Sequence, residues 1–229
     1  MNERSQKIQK MFSDIASHYD LLNRIMTFGM DVFLRRIVVR QLKPVPGQLF
    51  LDDGAGTGDL SFEILTHVPA AKVIAVDFTF AMLKHARERD SQAHIQWVLA
   101  DAQNLPFAPA TFNGVVSGFL LRNVTQIHVT LNEQFRVLKH NGVSVSLDTT
   151  PPSRNILRPL ILLYLRFIIP FLGLIFAKNP SAYTYLPETT EHFLNPVQLR
   201  GVLEKAGFSS VSWKTYLVGT TAIHRAEKK

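Results

Sequence analysis

Leu49-Phe50-Leu51-Asp52-Asp53-Gly54-Ala55-Gly56-Thr57-Gly58-Asp59-Leu60 runs from an apolar strand, through three alternate glycines, into the start of a helix. Glycines at every second position admit positive φ and a close backbone approach that a Cβ would block. The helix that follows presents unpaired N–H groups in its first turn. Together these features describe a turn that brings backbone against a nucleotide-like ligand; the plainer alternative is a tight strand-to-helix turn that binds nothing. The spacing differs from G-x-G-x-x-G, the pattern that seats a pyrophosphate on a helix N-terminus.

D-x-G-x-G-x-G after a strand instead resembles the first motif of class I S-adenosylmethionine-dependent methyltransferases, whose cofactor carries no phosphate. A second apolar strand, Lys72-Val73-Ile74-Ala75-Val76-Asp77, ends in a carboxylate 19 positions after Gly58. A nucleotide-binding βαβ unit places its ribose acceptor there, and a carboxylate can accept from both hydroxyls of a cis-diol. The competing role for Asp77 is to cap the helix expected over Phe80 to Arg89. A third strand, Trp97 to Ala100, leads into Asp101-Ala102, placed to accept from an adenine amino group and to donate a backbone N–H.

The 229 residues suffice for one α/β domain with a good core and would be cramped as two. The absence of cysteine excludes disulfides, thiolate nucleophiles and cysteine-based metal sites. The start, Met1-Asn2-Glu3-Arg4-Ser5-Gln6, lacks a basic-then-apolar leader pattern, so a cytoplasmic protein is expected. A formal charge of +7 needs a partner. No aromatic and basic interleaving points to nucleic acid, and an anionic membrane surface fits better.

Residues 156–176 are the most apolar stretch, but Arg158, Pro159, Arg166 and Pro170 interrupt it. A membrane span needs about 20 predominantly apolar residues, so peripheral association at a bilayer surface is expected, with ordinary buried helices as the alternative. The same apolar surface could pair two subunits into a homodimer.

Helical spacing covers Met11 to Leu22 and Asp31 to Gln41, with Gly29 as a break. Further helices are expected at Asp59 to His67, Phe80 to Arg89, about Val124 to Lys139, and Leu199 to Ala206. They alternate with strands near 49–53, 73–77, 95–100, 113–117 and 143–148, and two closing strands near 209–216 and 219–225. Asn141-Gly142 is expected to close the helix before strand five. The alternation predicts an α/β, Rossmann-like fold: a mainly parallel seven-stranded sheet flanked by helices. One domain over 1–229 is expected, divided into an N-terminal helical lid (1–43), a cofactor-binding core (44–150), an apolar substrate or membrane insertion (151–194) and a C-terminal helix and strands (195–229).

Nearly the whole chain resembles the UbiE-type C-methyltransferases of menaquinone and ubiquinone biosynthesis. The resemblance runs through Met11-Phe12-Ser13-Asp14-Ile15-Ala16, Tyr19-Asp20-Leu21-Leu22-Asn23-Arg24, Asp52 through Asp59, Asp77-Phe78 with Met82-Leu83, and Asp101-Ala102 with Leu105-Pro106-Phe107. It continues through Leu121-Arg122-Asn123-Val124, Arg136-Val137-Leu138-Lys139 and Ala182-Tyr183-Thr184-Tyr185-Leu186-Pro187-Glu188. It implies an S-adenosylmethionine site made by Asp52, Gly54, Gly56, Thr57, Gly58, Asp77, Phe78, Met82, Asp101, Ala102 and Ser117. It also implies a hydrophobic prenyl quinol as substrate, met by Phe119, Tyr183, Tyr185 and Leu186. This chain departs from the family in three places: Asp53-Gly54-Ala55 replaces a usual Val-Ala-Cys, Phe119-Leu120 a usual Phe-Gly, and Asp148-Thr149-Thr150-Pro151-Pro152 a usual Glu-Phe-Ser-Lys-Pro.

Methyl transfer from a sulfonium to an aromatic carbon requires an electron-rich ring held in line behind the methyl group. A quinol with its hydroxyl partly deprotonated meets that requirement. Arg122, permanently cationic, is the candidate for stabilising the oxygen, and Asn123 could orient the same atom; both could instead be a cap and surface ion pair. Tyr19, Asp148 and His192 are candidate bases, although Tyr19 could simply pack, Asp148 end a strand and His192 sit on the surface. No metal-ligand spacing occurs among the histidines and acids. The expected reaction is ring C-methylation of a demethylated prenyl quinol, demethylmenaquinol before ubiquinone precursors. The alternatives are methylation of another lipid-like acceptor, such as a phospholipid amine, or a non-catalytic quinone-binding accessory role.

Overall fold

A computed structural model describes residues 3–17, 19–152, 156–171, 185 and 188–229. Its centre is a seven-stranded sheet built from β1 (Leu49–Asp53), β2 (Lys72–Asp77), β3 (Ile95–Leu99), β4 (Phe112–Gly118), β5 (Leu138–Thr149), β6 (Ser209–Tyr216) and β7 (Thr221–Glu227). The order is β3-β2-β1-β4-β5-β7-β6, with β7 antiparallel to both its neighbours and β1 to β5 mutually parallel. The order reverses between β1 and β4, so the crevice beyond their C-terminal ends is where an open parallel sheet binds ligands.

Helices cover both faces, as the apolar strand runs require. α3 (Met30–Leu42) and α4 (Asp59–His67) pack Leu34, Val38, Leu60 and Ile64 with Phe50, Val73 and Val145 in one core. α6 (Ile127–Val137) and a C-terminal helix, Pro196–Lys205, pack Leu131, Leu199 and Leu203 with Leu51, Phe112 and Val115 in the other. α5 (Phe80–Arg89) follows β2 and starts where the sequence places it.

Three local expectations are corrected. The single helix expected over Met11 to Leu22 is two, α1 (Glu3–Ile15) and α2 (Tyr19–Met26). α6 ends at Val137, and Asn141-Gly142 does not close it. The chain rejoins the sheet at once, Leu138 opposite Phe112, and Asn141 (φ 62) with Gly142 forms a bulge before pairing resumes at Gly114 and Val143. The final helix starts earlier than expected, at Pro196. Asn195 accepts from the Gln198 N–H while the Gln198 side chain accepts from the Asn195 N–H, a capping box.

After β5 the chain forms α7 (Arg158–Leu163) and a π-helical turn over Tyr164–Ile168. Leu165 and Ile169 are buried against Ile15, Ala16, Met26 and Met82, whereas Ile156 (92%), Leu160 (63%), Phe167 (64%) and Phe171 (59%) are exposed. The segment is thus buried on one side and apolar on the other. Among the described residues no helix is long and apolar enough to cross a membrane.

Candidate functional site

The glycine turn adopts the conformation its sequence allows. Gly54, Gly56 and Gly58 have φ of 74°, 55° and 87°. A Cβ on Gly54 would lie 2.7 Å from Leu120 Cδ1, and one on Gly58 would lie 2.4 Å from Trp97 Cη2. The N–H groups of Gly54 and Ala55 both donate to Val76 O at 2.8 Å, which ties the turn to the end of β2. Asp77 at that end accepts from Gly56 N–H (2.9 Å) and Thr79 N–H (2.7 Å), one bond on each carboxylate oxygen. Each oxygen keeps acceptor capacity, so a vicinal diol can still be held. Burial pushes the Asp77 carboxyl up, against the pull of these backbone bonds.

The two acids of the turn go to opposite faces, as strand alternation demands. Asp52 Oδ2 accepts from the Ser61 N–H (3.0 Å) and Oγ (2.7 Å), anchoring the start of α4. Asp52, expected among the cofactor ligands, does not line the cleft. Asp53 does: its Oδ2 accepts from Gln134 Nε2 on α6 at 2.8 Å, and its Oδ1 has no partner. Burial pushes both carboxyls up to about 7.

The cleft beyond β1, β2 and β3 is lined by Asp53, Gly54, Asp77, Phe78, Asp101, Ala102, Leu120 and Asn123, with Ser5 and Ile8 of α1 over it. Gln9 Nε2 of α1 donates to Phe78 O at 2.6 Å. With α1 over it the cleft encloses about 40 Å³. α2 is braced on the turn. Thr57 Oγ1 donates to Asp20 (2.5 Å), and Arg89 donates to Asp20 (2.9 Å), Thr57 O (2.8 Å) and Asp59 (2.8 Å). Arg35 joins Asp59 (3.2 Å) to Asp31. The Thr57 hydroxyl is therefore committed to α2.

A second cavity, of about 430 Å³, lies on the other side of the loop that follows β4. Met26, Phe28, Leu160, Ile161, Tyr164, Leu165, Ile169 and Leu217 give it apolar walls, and Arg122, Thr149 and Thr190 a polar end. The loop is the partition: Phe119 and Arg122 face this cavity, while Leu120, Asn123, Val124 and Thr125 face the cofactor cleft. Phe119 holds φ 58°, fixed by its N–H donating to Leu147 O at 2.7 Å. Such strained backbone is concentrated at functional sites.

Arg122 and Asn123 thus diverge. Arg122 donates to Asp148 (2.8 Å) and Thr149 Oγ1 (3.4 Å), stacks 4.9 Å above the Phe119 ring, and leaves its Nε unpartnered. It is buried and ion-paired, so the alternative of a surface salt bridge does not apply. Asn123 Nδ2 donates to Phe119 O (2.8 Å), and its free Oδ1 belongs to the cofactor side, so the two residues do not address one oxygen.

The other candidate residues divide clearly. Asp148 also accepts from the N–H groups of Arg122 (3.2 Å) and Thr149 (2.8 Å), which makes it an anchor for Arg122. Burial raises its pKa, and Arg122 pulls it back. Burial pushes the Tyr19 hydroxyl up, leaving a phenol at neutral pH; its ring meets Phe12 edge-on at 6.0 Å. His192 is exposed and bonds Glu188 O (2.8 Å), away from both cavities. Met82 is buried behind α1 and α2, and Ser117 lies within β4 opposite Ser146. Tyr185 is half-buried and feels the Arg122 charge; Tyr183 and Leu186 fall outside the described residues. Among the described residues no acid or histidine cluster could hold a metal ion.

Sequence reasoning missed Asp53, Arg89, Arg35 and Thr190. Asp53 had one available signal, a second acid beside Asp52 at the end of an apolar strand; the others become neighbours of the site only through the fold.

The glycine cradle, the diol-competent Asp77 and the orphan acceptors in the cleft fit S-adenosylmethionine. Comparison with known proteins agrees. The chain is 42% identical over 218 residues to a ubiquinone/menaquinone biosynthesis C-methyltransferase UbiE of Desulfotalea psychrophila, spanning 95% of this chain and 88% of that protein. It is 33% identical over 228 residues to a demethylmenaquinone methyltransferase of Roseiflexus castenholzii, spanning 100% and 96%. Among solved structures, an S-adenosylmethionine-dependent methyltransferase of Thermotoga maritima, a possible histamine N-methyltransferase, superposes with a TM-score of 0.66 at 18% identity over 97% of this chain and 100% of that one. At that identity the superposition speaks for the fold alone. The family model of the ubiE/COQ5 methyltransferases matches residues 1–228, and the chain belongs to that family.

Proposed function

We propose that this S-adenosylmethionine-dependent methyltransferase methylates a ring carbon of a demethylated prenyl quinol, demethylmenaquinol before other acceptors. The observation that carries this reading is the partition at 119–125, with an apolar cavity of about 430 Å³ on one side and the cofactor cleft on the other. A prenyl tail gains about 0.8 kcal/mol per CH₂ removed from water, which the Leu160, Ile161 and Tyr164 wall can supply. The polar end suits the ring oxygens.

S-adenosylmethionine, when bound, supplies a methyl group made electrophilic by its sulfonium. Arg122, held by Asp148, presents a fixed cation that favours the quinolate and so raises electron density at the adjacent ring carbon. Thr149 and Thr190, 3.1 Å apart, provide hydroxyls for a ring oxygen at the same end. α1 and α2, closed over the cleft, keep water from it.

The exposed Ile156, Leu160, Phe167 and Phe171, beside Arg158 on a chain of net charge +7, suit a peripheral contact with an anionic bilayer, the source of such a substrate. The reaction is tested by mass spectrometry of a chemically reduced demethylmenaquinone analogue incubated with methyl-labelled S-adenosylmethionine. A labelled ring methyl that is lost in Arg122→Ala supports the reading; no product, with calorimetry still showing cofactor binding, redirects it to another lipid acceptor.

A further inference from the structure

Among the described residues that line the cofactor cleft, two carry a buried acceptor atom with nothing to accept from. The atoms are Asp53 Oδ1 and Asn123 Oδ1. Asp53 is wholly buried, and its other oxygen is fixed by Gln134 of α6, so it cannot turn away to find a partner. A buried carboxylate oxygen left unpaired is costly, and a ligand bearing positive charge in the same cleft offsets that cost.

The charges acting most strongly on Asp53 have its own sign. They are Asp52 on the same strand, Asp77 at the end of β2 and Asp101 after β3. From α6 only the neutral Gln134 reaches it. Arg35, the cation on the other face, acts on Asp52. Among the described residues the cleft is thus a concentration of carboxylates without a local counter-ion.

We infer that Asp53 is a charge-reading residue of the cofactor cleft, which favours the cationic S-adenosylmethionine over its neutral-sulfur product S-adenosylhomocysteine. The two ligands share adenosine, carboxylate and ammonium groups and differ by the methyl and the sulfonium charge. A carboxylate in a low-dielectric floor responds to that single charge, and its weight is on the order of tenfold in affinity at the separations within one small cleft. The residue thereby helps the product leave after transfer. It also couples binding to protons: a carboxyl poised near neutrality, as burial leaves Asp53, loses its proton when a cation settles beside it.

The inference rests on cofactor binding alone and does not depend on the methyl acceptor. Titration calorimetry of the full chain with each ligand, at pH 7 in two buffers of different ionisation enthalpy, tests it. The parent releases more protons with S-adenosylmethionine than with S-adenosylhomocysteine, and D53N lowers the affinity ratio between the two on the order of tenfold while S-adenosylhomocysteine binding changes little. Equal proton release for both ligands in the parent overturns the inference, whatever the variant does. So does an unchanged affinity ratio in D53N, including the case in which both ligands weaken together and Asp53 merely supports the cleft. Failure of the parent to bind either ligand overturns the cofactor assignment itself.

Discussion

The Arg122 guanidinium meets Asp148 at 2.8 Å, with the two side chains 8% and 3% exposed. A pair this buried is sensitive to loss of either member, because the survivor remains desolvated without a counter-charge. It also fixes the one cation that the apolar cavity contains among its described walls.

Asp148→Asn is expected to destabilise the protein by about 3 kcal/mol and to lower kcat. Arg122→Lys keeps the charge but loses the planar fork, so kcat falls on the order of a hundredfold while S-adenosylmethionine binds normally. Steady-state kinetics beside calorimetric cofactor titration separates these effects, and a matching loss of cofactor affinity would place Arg122 in the wrong cavity.

The carboxyls of Asp52 and Asp53, pushed up to about 7 by burial, contribute to the pH response of the cofactor-free fold. Their folded-state pKa values exceed the ordinary carboxyl value of 3.8, so the folded state holds protons the unfolded chain has already lost. The stabilising contribution is complete below about pH 4 and disappears as pH rises through about 7. Asp53→Asn should therefore raise stability at pH 8 by roughly 1–3 kcal/mol and give no gain near pH 4. Chemical denaturation across that range reads the slope.

Gly58→Ala forces a Cβ to 2.4 Å from the Trp97 ring at φ 87°, and a cost of about 2–4 kcal/mol follows from overpacking plus backbone strain. Gly54→Ala meets the movable tip of Leu120 instead, at 2.7 Å. It should cost less stability but weaken S-adenosylmethionine, because Leu120 lines the cleft. A Gly54→Ala, Leu120→Ala double variant that recovers no melting temperature would contradict this steric account.

Arg89→Ala removes the brace that joins Asp20 of α2 to Thr57 O and Asp59. Cofactor affinity should fall severalfold, and the α2 amides should exchange faster with deuterium, while the β1 to β4 amides keep their protection. Unchanged exchange in α2 would mean that packing alone holds this helix.

Ile156→Glu with Phe167→Glu should reduce sedimentation with vesicles containing anionic lipid, and leave turnover of a detergent-dispersed short-tail substrate nearly intact. Retained vesicle binding, or a change from dimer to monomer in light scattering, would assign the apolar face to something other than lipid.

The strands, the glycine turn and the carboxylate of Asp77 were legible in the sequence because each depends on local chemistry. Continuous apolar runs make strands buried on both faces, positive φ selects glycine, and an acid at a strand end is available to a ligand wherever that strand is placed. α4 and α5 were legible for the same reason. The division of labour within neighbouring pairs was not. Asp52 and Asp53 differ only in which face of β1 they occupy, and that became chemistry only when Ser61 of α4 and Gln134 of α6 arrived on opposite sides. Arg122 and Asn123 look like one functional unit in the sequence, yet the turn after β4 sends them to separate cavities. The brace from Arg89 and Arg35 to the turn joins residues far apart in the chain. Local propensity carries no information about such meetings, which the packing of α2, α3 and α5 around the sheet alone decides.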